Sequence, residues 1–91
     1  MLRFEWDSVK ARVNLQKHSV GFEDAMHVFE DPHALFEQDR TDVSGETRRH
    51  ALGLAGGVAV LLVVHTVSEE GEGETIRLIS AAGDSKGEKS L

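Results

Sequence analysis

Leu2, Phe4 and Trp6 alternate with Arg3, Glu5 and Asp7 at the head of the chain, a period of two that predicts a short strand with one apolar face. Asp7 ends it, because its carboxylate can accept the first free N–H groups of a helix, a cap worth about 0.5–2 kcal/mol. No proline or glycine follows until Gly21, so the pattern predicts a first helix over 8–18. Val9, Val13 and Leu15, with Gln16, give this helix only a narrow apolar stripe, whereas Lys10, Arg12, Asn14 and Lys17 supply a polar and basic side. A second helix is predicted over 22–30, where Phe22, Ala25, Met26 and Phe29 recur at offsets of three and four and Asp31-Pro32 makes the stop. So short a helix is marginal in water and must be held by packing.

Strand-like stretches follow at 33–37, 47–54, 58–67 and 75–81. Gly56-Gly57 reads as a short hairpin and the glycine-interleaved acids of 69–74 as a longer one, which predicts an antiparallel meander. The order β-α-α-β-β-β-β fits an α+β fold, with two N-terminal helices packed on one face of a four- to five-stranded, mainly antiparallel sheet. A single domain over 1–81 is expected, and residues 82–91 lose all periodicity and read as a frayed or disordered polar tail. The apolar run 57–64 falls short of the roughly 18 residues of a membrane helix and is read as a buried strand, with no membrane partner.

Composition narrows the class. A chain of 91 residues, 40% hydrophobic and 29% charged, fits one globular domain, and a domain of this size buries only about 60–65% of its unfolded surface, so its stability should be modest. The absence of cysteine excludes disulfides and thiolate metal sites and suits a reducing cytoplasm, and the charged N-terminus does not read as a signal peptide. The net charge of −6 has the wrong sign for general attraction to RNA, but much of the acid sits in the 69–74 hairpin and leaves room for a local basic surface. Histidines at 18, 27, 33, 50 and 65 form no ligand pair at metal-binding spacing, and no glycine-rich phosphate loop opens a helix. No metal or other cofactor is expected.

The run Phe4-Glu5-Trp6-Asp7, followed by Lys10, Asn14, Lys17-His18, Val20 and Phe22-Glu23, resembles the opening of the BrnT family, toxins of bacterial type II toxin–antitoxin pairs that look like RelE-type ribonucleases. The likeness continues through Ala25, Phe29, Asp31-Pro32, Gly45-Glu46-Thr47-Arg48, Ala51-Leu52-Gly53, Val63-Val64-His65-Thr66 and Ile76-Arg77-Leu78-Ile79-Ser80-Ala81. The first and last of these motifs are the specific ones. The resemblance implies a RelE-like fold, an endoribonuclease that inhibits translation, and a hetero-oligomer with a BrnA-type antitoxin whose ribbon-helix-helix region would be this chain's only route to DNA. Two positions depart from the family. Ser19 replaces the glycine common after the helix end, at a small conformational penalty, and Ala82 stands where an arginine is usual, ahead of a tail that lacks the family's basic helix. Ala82 opens a second reading, a degenerate copy that retains the antitoxin-binding face but cleaves weakly or not at all.

Metal-independent cleavage of the RelE type needs a group that helps deprotonate the ribose 2′-OH, cations for the phosphorane-like transition state and an acid for the leaving oxygen. The catalytic candidates are Arg48 and Arg77 as permanent cations, His50 and His65 as proton carriers and Glu46 as a base, with Lys17 and Arg49 as RNA-binding candidates. Period-two alternation puts Arg48, His50 and Leu52 on one strand face and Arg49, Ala51 and Gly53 on the other, and groups Arg77 with Thr75 and Ile79. If the last strand pairs with the one carrying His65, a suitable register would set Arg77 and His65 on one face at the sheet rim. Plainer readings stand beside these: edge arginines that block strand pairing, a hydrogen-bonded sheet-end histidine at 65, and Lys17 as a partner of the helix dipole. His27 and His33, with no carboxylate at a suggestive spacing, are read as incidental.

Overall fold

The computed structural model describes residues 2–41, 47–56, 59–69 and 73–83. Strand β1 (Leu2–Glu5) leads into helix α1 (Ser8–His18) and a short α2 (Phe22–Ala25) that tightens into a 3₁₀ helix (Met26–Glu30). Strands β2 (Leu35–Thr41), β3 (Thr47–Ala55), β4 (Ala59–Ser68) and β5 (Glu74–Gly83) follow. They form one sheet in the order β1-β5-β4-β3-β2. The meander β2 to β5 is antiparallel as predicted, but β1 pairs in parallel with β5, Phe4 opposite Ile76 and Glu5 opposite Arg77. The fold is therefore α+β with a mixed sheet. The second predicted helix survives as an element, but only its first turn is α; its 3₁₀ continuation ends where the Asp31 N–H donates to Val28 O.

Helix formation follows the predicted cap. Asp7 Oδ1 accepts from Val9 N at 2.8 Å and from Lys10 N at 3.2 Å, and these bonds hold its carboxyl below the usual carboxylate range. At the other end Ser19 takes the left-handed conformation, φ 57° and ψ 30°. That is the penalty expected of a serine in a glycine's place.

Phe22, Ala25 and Val28 pack on Ala51, Leu61, Val63, Ile76, Leu78 and Ala81, so the core lies between the helical segment and one face of the sheet. Trp6 meets Phe22 edge-on at 5.8 Å, and Phe4 meets Phe29 at 5.4 Å. Gly53 permits the closest approach: a Cβ there would stand 3.0 Å from both Ala34 Cβ and Asp31 Oδ2. That approach lets Asp31 Oδ2 accept from Leu54 N at 2.9 Å, while its Oδ1 accepts locally from His33 N at 2.9 Å.

Helix α1 departs from its predicted packing. Val9, Val13 and Leu15 are all exposed, and the one buried residue of the helix is Asn14. Its amide replaces a missing strand. Asn14 Nδ2 donates to Ala81 O at 2.8 Å and to Val20 O at 3.1 Å, while its Oδ1 accepts from Ala81 N at 3.1 Å. β1 pairs only with residues 74–77 of β5, so Asn14 satisfies the backbone of β5 beyond the point where β1 ends.

Candidate functional site

The sheet has one face under the helices and one that no described element covers. The polar end of the open face carries Arg48 and His50 from β3, Thr66 from β4 and Arg77 from β5. Registers fix this grouping: His50 stands opposite Val64 and Thr66 opposite Arg77, while Arg48 shares the pleat of His50. Arg48 and Arg77 thus flank the strand that holds Thr66, roughly two strand spacings or 9–10 Å apart by sheet geometry. Arg77 Nη1 donates to Glu5 Oε2 at 2.5 Å, and both groups are about half exposed. The parallel β1–β5 pair therefore brings together the two most specific motifs of the sequence, one arginine of which still faces solvent. Two guanidinium groups and an imidazole, arranged around a Thr66 that is itself only 7% exposed, make a surface that can bind a phosphodiester and neutralise charge building on it.

The same registers separate Arg77 from His65. His65 stands opposite Leu78 and Thr66 opposite Arg77, so the two side chains leave the sheet on opposite faces and the shared rim site considered from the sequence does not form. A bulge between Val64 and His65 in the pairing with β5 also shifts the alternation: Ile79 leaves the face of Arg77 and Ser80, opposite Val64, takes its place. His65 is 2% exposed. Its ring meets Phe29 edge-on at 4.9 Å, and Nδ1–H donates to Val63 O at 3.3 Å. Burial pushes the imidazole below the ordinary histidine value, and the nearby Arg49 and His50 act in the same direction against the Val63 carbonyl.

His65 and Arg49, opposite one another in β3 and β4, line a cleft of about 530 Å³ on the helix side, with Phe29, Phe36, Gln38 and Glu74 among its other walls. Lys17 lies in a separate groove of about 300 Å³ between α1 and β5, together with Lys10, His18, Val9, Val13 and Ile79. Glu46 falls outside the described residues. His27 is less isolated than its sequence context suggests, since Nδ1 lies 2.7 Å from Glu30 Oε1, one helical offset of three away. Ala82 pairs with Leu62 on the open face. Sequence reasoning missed Asn14 as the tie between α1 and β5. Its helical spacing to Lys10 and Lys17 drew attention to charge, and nothing local marks an amide that serves a residue 67 positions away.

Among the described residues no cluster of three His, Asp or Glu side chains could hold a metal ion, and no helix is long and apolar enough to cross a membrane.

The chain is a small α+β domain with helices on one face of a mixed sheet and Arg48 and Arg77 on the other. The fold is similar to that of the Brucella abortus ribonuclease toxin BrnT in its crystal structure, with a TM-score of 0.63 and 20% identity over 92% of this chain and 97% of that one. No curated protein sequence matches. Residues 6–88 match the family model described as "Ribonuclease toxin, BrnT, of type II toxin-antitoxin system", and the chain belongs to that family.

Proposed function

We propose that this chain is a cytoplasmic, RelE-like endoribonuclease that cleaves RNA, inhibits translation and is neutralised by a BrnA-type antitoxin in a hetero-oligomer. The family match over residues 6–88 carries this reading. Of the candidates named from the sequence, Arg48, His50 and Arg77 are assigned to the reacting phosphodiester, because the open face groups them and leaves the arginines exposed. Arg48 and Arg77 stabilise the phosphorane-like charge, and His50 exchanges a proton with the ribose 2′-OH or the leaving 5′ oxygen. His65 instead supports the core beneath Phe29, since a ring so deeply buried cannot reach a backbone phosphate. Glu46, the other candidate base, remains assigned to proton abstraction and Arg49 to an outlying RNA contact, whereas Lys17, set in the separate groove beside α1, is not assigned to RNA. DNA is met only through the antitoxin.

A second reading has its own observation. Ala82 lies on the open face opposite Leu62, two pleat repeats along that face from the Thr66–Arg77 pair, where the family's usual arginine would add a cation to the aliphatic end of the face. A degenerate copy would keep the fold and lose the rate, since removing one transition-state donor commonly costs about 10²–10³ in kcat.

Induction of the chain alone in a bacterial host, beside Ala82→Arg and Arg77→Ala, decides between them by growth, bulk translation and cleavage of RNA in EDTA. Growth arrest by the unmodified chain, relieved by Arg77→Ala, supports the active toxin. Arrest only by Ala82→Arg supports the degenerate copy. Unimpeded growth and intact RNA with every version overturn the ribonuclease assignment for this chain.

A further inference from the structure

The open sheet face turns aliphatic away from its arginines. Leu35, Leu52, Leu62 and Ala82 stand in one row across four strands, Leu54 pairs with Val60 in the next, and Val64 borders the polar end. Leu35, Leu54, Val60 and Leu62 are exposed, Leu35 by 64%. Across Ser80, which pairs with Val64 on this face, the surface continues into the groove beside α1, where Val9 and Val13 are 59% and 47% exposed one helical turn apart. The lining of that groove includes Lys10, Lys17 and His18 and no acidic residue. α1 as a whole carries no Asp or Glu, although the chain has 16 acidic residues against 10 lysines and arginines.

We infer that this aliphatic face and the α1 groove form the docking surface for an acidic amphipathic helix of a partner protein. A contiguous exposed apolar face rimmed by charged residues marks an interaction site. The exposed Val9 and Val13 offer a ridge against which a second helix can lie while its apolar side covers Leu62 and Leu52. Acidic flanks on that helix would meet Lys10 and Lys17, giving the charge complementarity that fixes partner and orientation. A second copy of this chain fits less well, because an isologous contact through the same surface sets one basic rim against the other. Single-stranded RNA fits less well too. Its bases require aromatic platforms, and this face holds none among the described residues, the phenylalanines and Trp6 having gone to the core side or its cleft. The identity of the partner as antitoxin rests on the proposed function; the chemistry of the surface does not.

Binding is read by fluorescence anisotropy with a labelled leucine–glutamate peptide of amphipathic helical pattern, its leucine–lysine counterpart and a short single-stranded RNA, titrated with the full chain. Lys10→Glu/Lys17→Glu and Leu62→Glu are compared, each checked for an intact melt, and light scattering records oligomeric state. The acidic peptide should bind saturably and the basic one should not, and the lysine reversal should weaken binding at least about tenfold, a change of about 1.4 kcal/mol. If Leu62→Glu fails to fold, the lysine pair on an exposed helix still decides. The inference is overturned if the acidic peptide does not bind, if the charge reversal leaves its binding unchanged, or if RNA binds here and competes. It is equally overturned if light scattering shows a dimer that the variants dissolve, since the occupant is then a second copy. RNA cleavage measured on the same preparation keeps the two proposals separable: cleavage without peptide binding sinks the docking surface alone, and binding without cleavage sinks the ribonuclease alone.

Discussion

Asn14 serves three backbone groups with one side chain, and Ala81, which supplies two of them, is fully buried. Removing the amide strands those groups, and an unsatisfied buried donor or acceptor costs about 1–3 kcal/mol. Asn14→Ala should therefore destabilise the fold by about 2–4 kcal/mol in urea titrations, and Asn14→Asp should not rescue it, since a carboxylate would face the Ala81 and Val20 carbonyls. A loss below about 1 kcal/mol would show that water replaces the amide without penalty. His65 makes a different test. Its unfolded value lies near 6.5 and its folded value is depressed, so the unfolded chain holds more protons below about pH 6.5 and stability falls with pH there. The depressed carboxyls of Asp7 and Asp31 act in another window: the stability they add is present above 3.8 and is lost as pH falls through their lower folded values. Urea midpoints should thus decline between pH 7 and pH 5, and His65→Phe should flatten that decline. An unchanged slope would mean that another group titrates.

At the scale of elements, the Glu5–Arg77 pair joins β1 to β5, but both partners are about half exposed, and ion pairs of that kind are worth about 0–1 kcal/mol. Arg77→Ala should lower RNA cleavage on the order of a hundredfold while stability changes by less than about 1 kcal/mol. A large fall in melting temperature with no specific loss of cleavage would make Arg77 structural. The limits of α1 were legible because its signals are local: Asp7 at one end, Ser19 and Gly21 at the other. The antiparallel meander was legible from its turns and alternation. The parallel β1–β5 pair was not, because the period of a strand says which face is apolar and nothing about its partner. The bulge opposite Val64 was also hidden, and one inserted residue changes which neighbours Arg77 shares a face with. The pair His65 and Arg77 failed for that reason, whereas Arg48 and His50, two apart on a single strand, needed no partner register to stay together.

The whole molecule is a thin one: a single helical layer covers one side of five strands, and the other side keeps exposed Leu35, Leu54, Val60 and Leu62. A partner that binds only the folded state adds stability by mass action, about 2.7 kcal/mol at a hundredfold excess over its Kd. Co-expression with the antitoxin of the proposed pair should therefore give a hetero-oligomer by light scattering and raise the melting midpoint by several degrees, at roughly 4–8 °C per kcal/mol. Elution of this chain alone at unshifted midpoint, with folded antitoxin in excess, would defeat that expectation. The strand order has a consequence in time. β5 sits between β1 and β4, yet its residues are made after those of every other described strand. Until they leave the ribosome, β1 has no neighbour, Asn14 has no Ala81, and the open face lacks Arg77. Closure between distant parts of a chain is slow and waits for both ends. A sheet closed by its last-made described strand therefore cannot assemble the face that carries Arg48 and Arg77 until residues 74–83 are free of the ribosome.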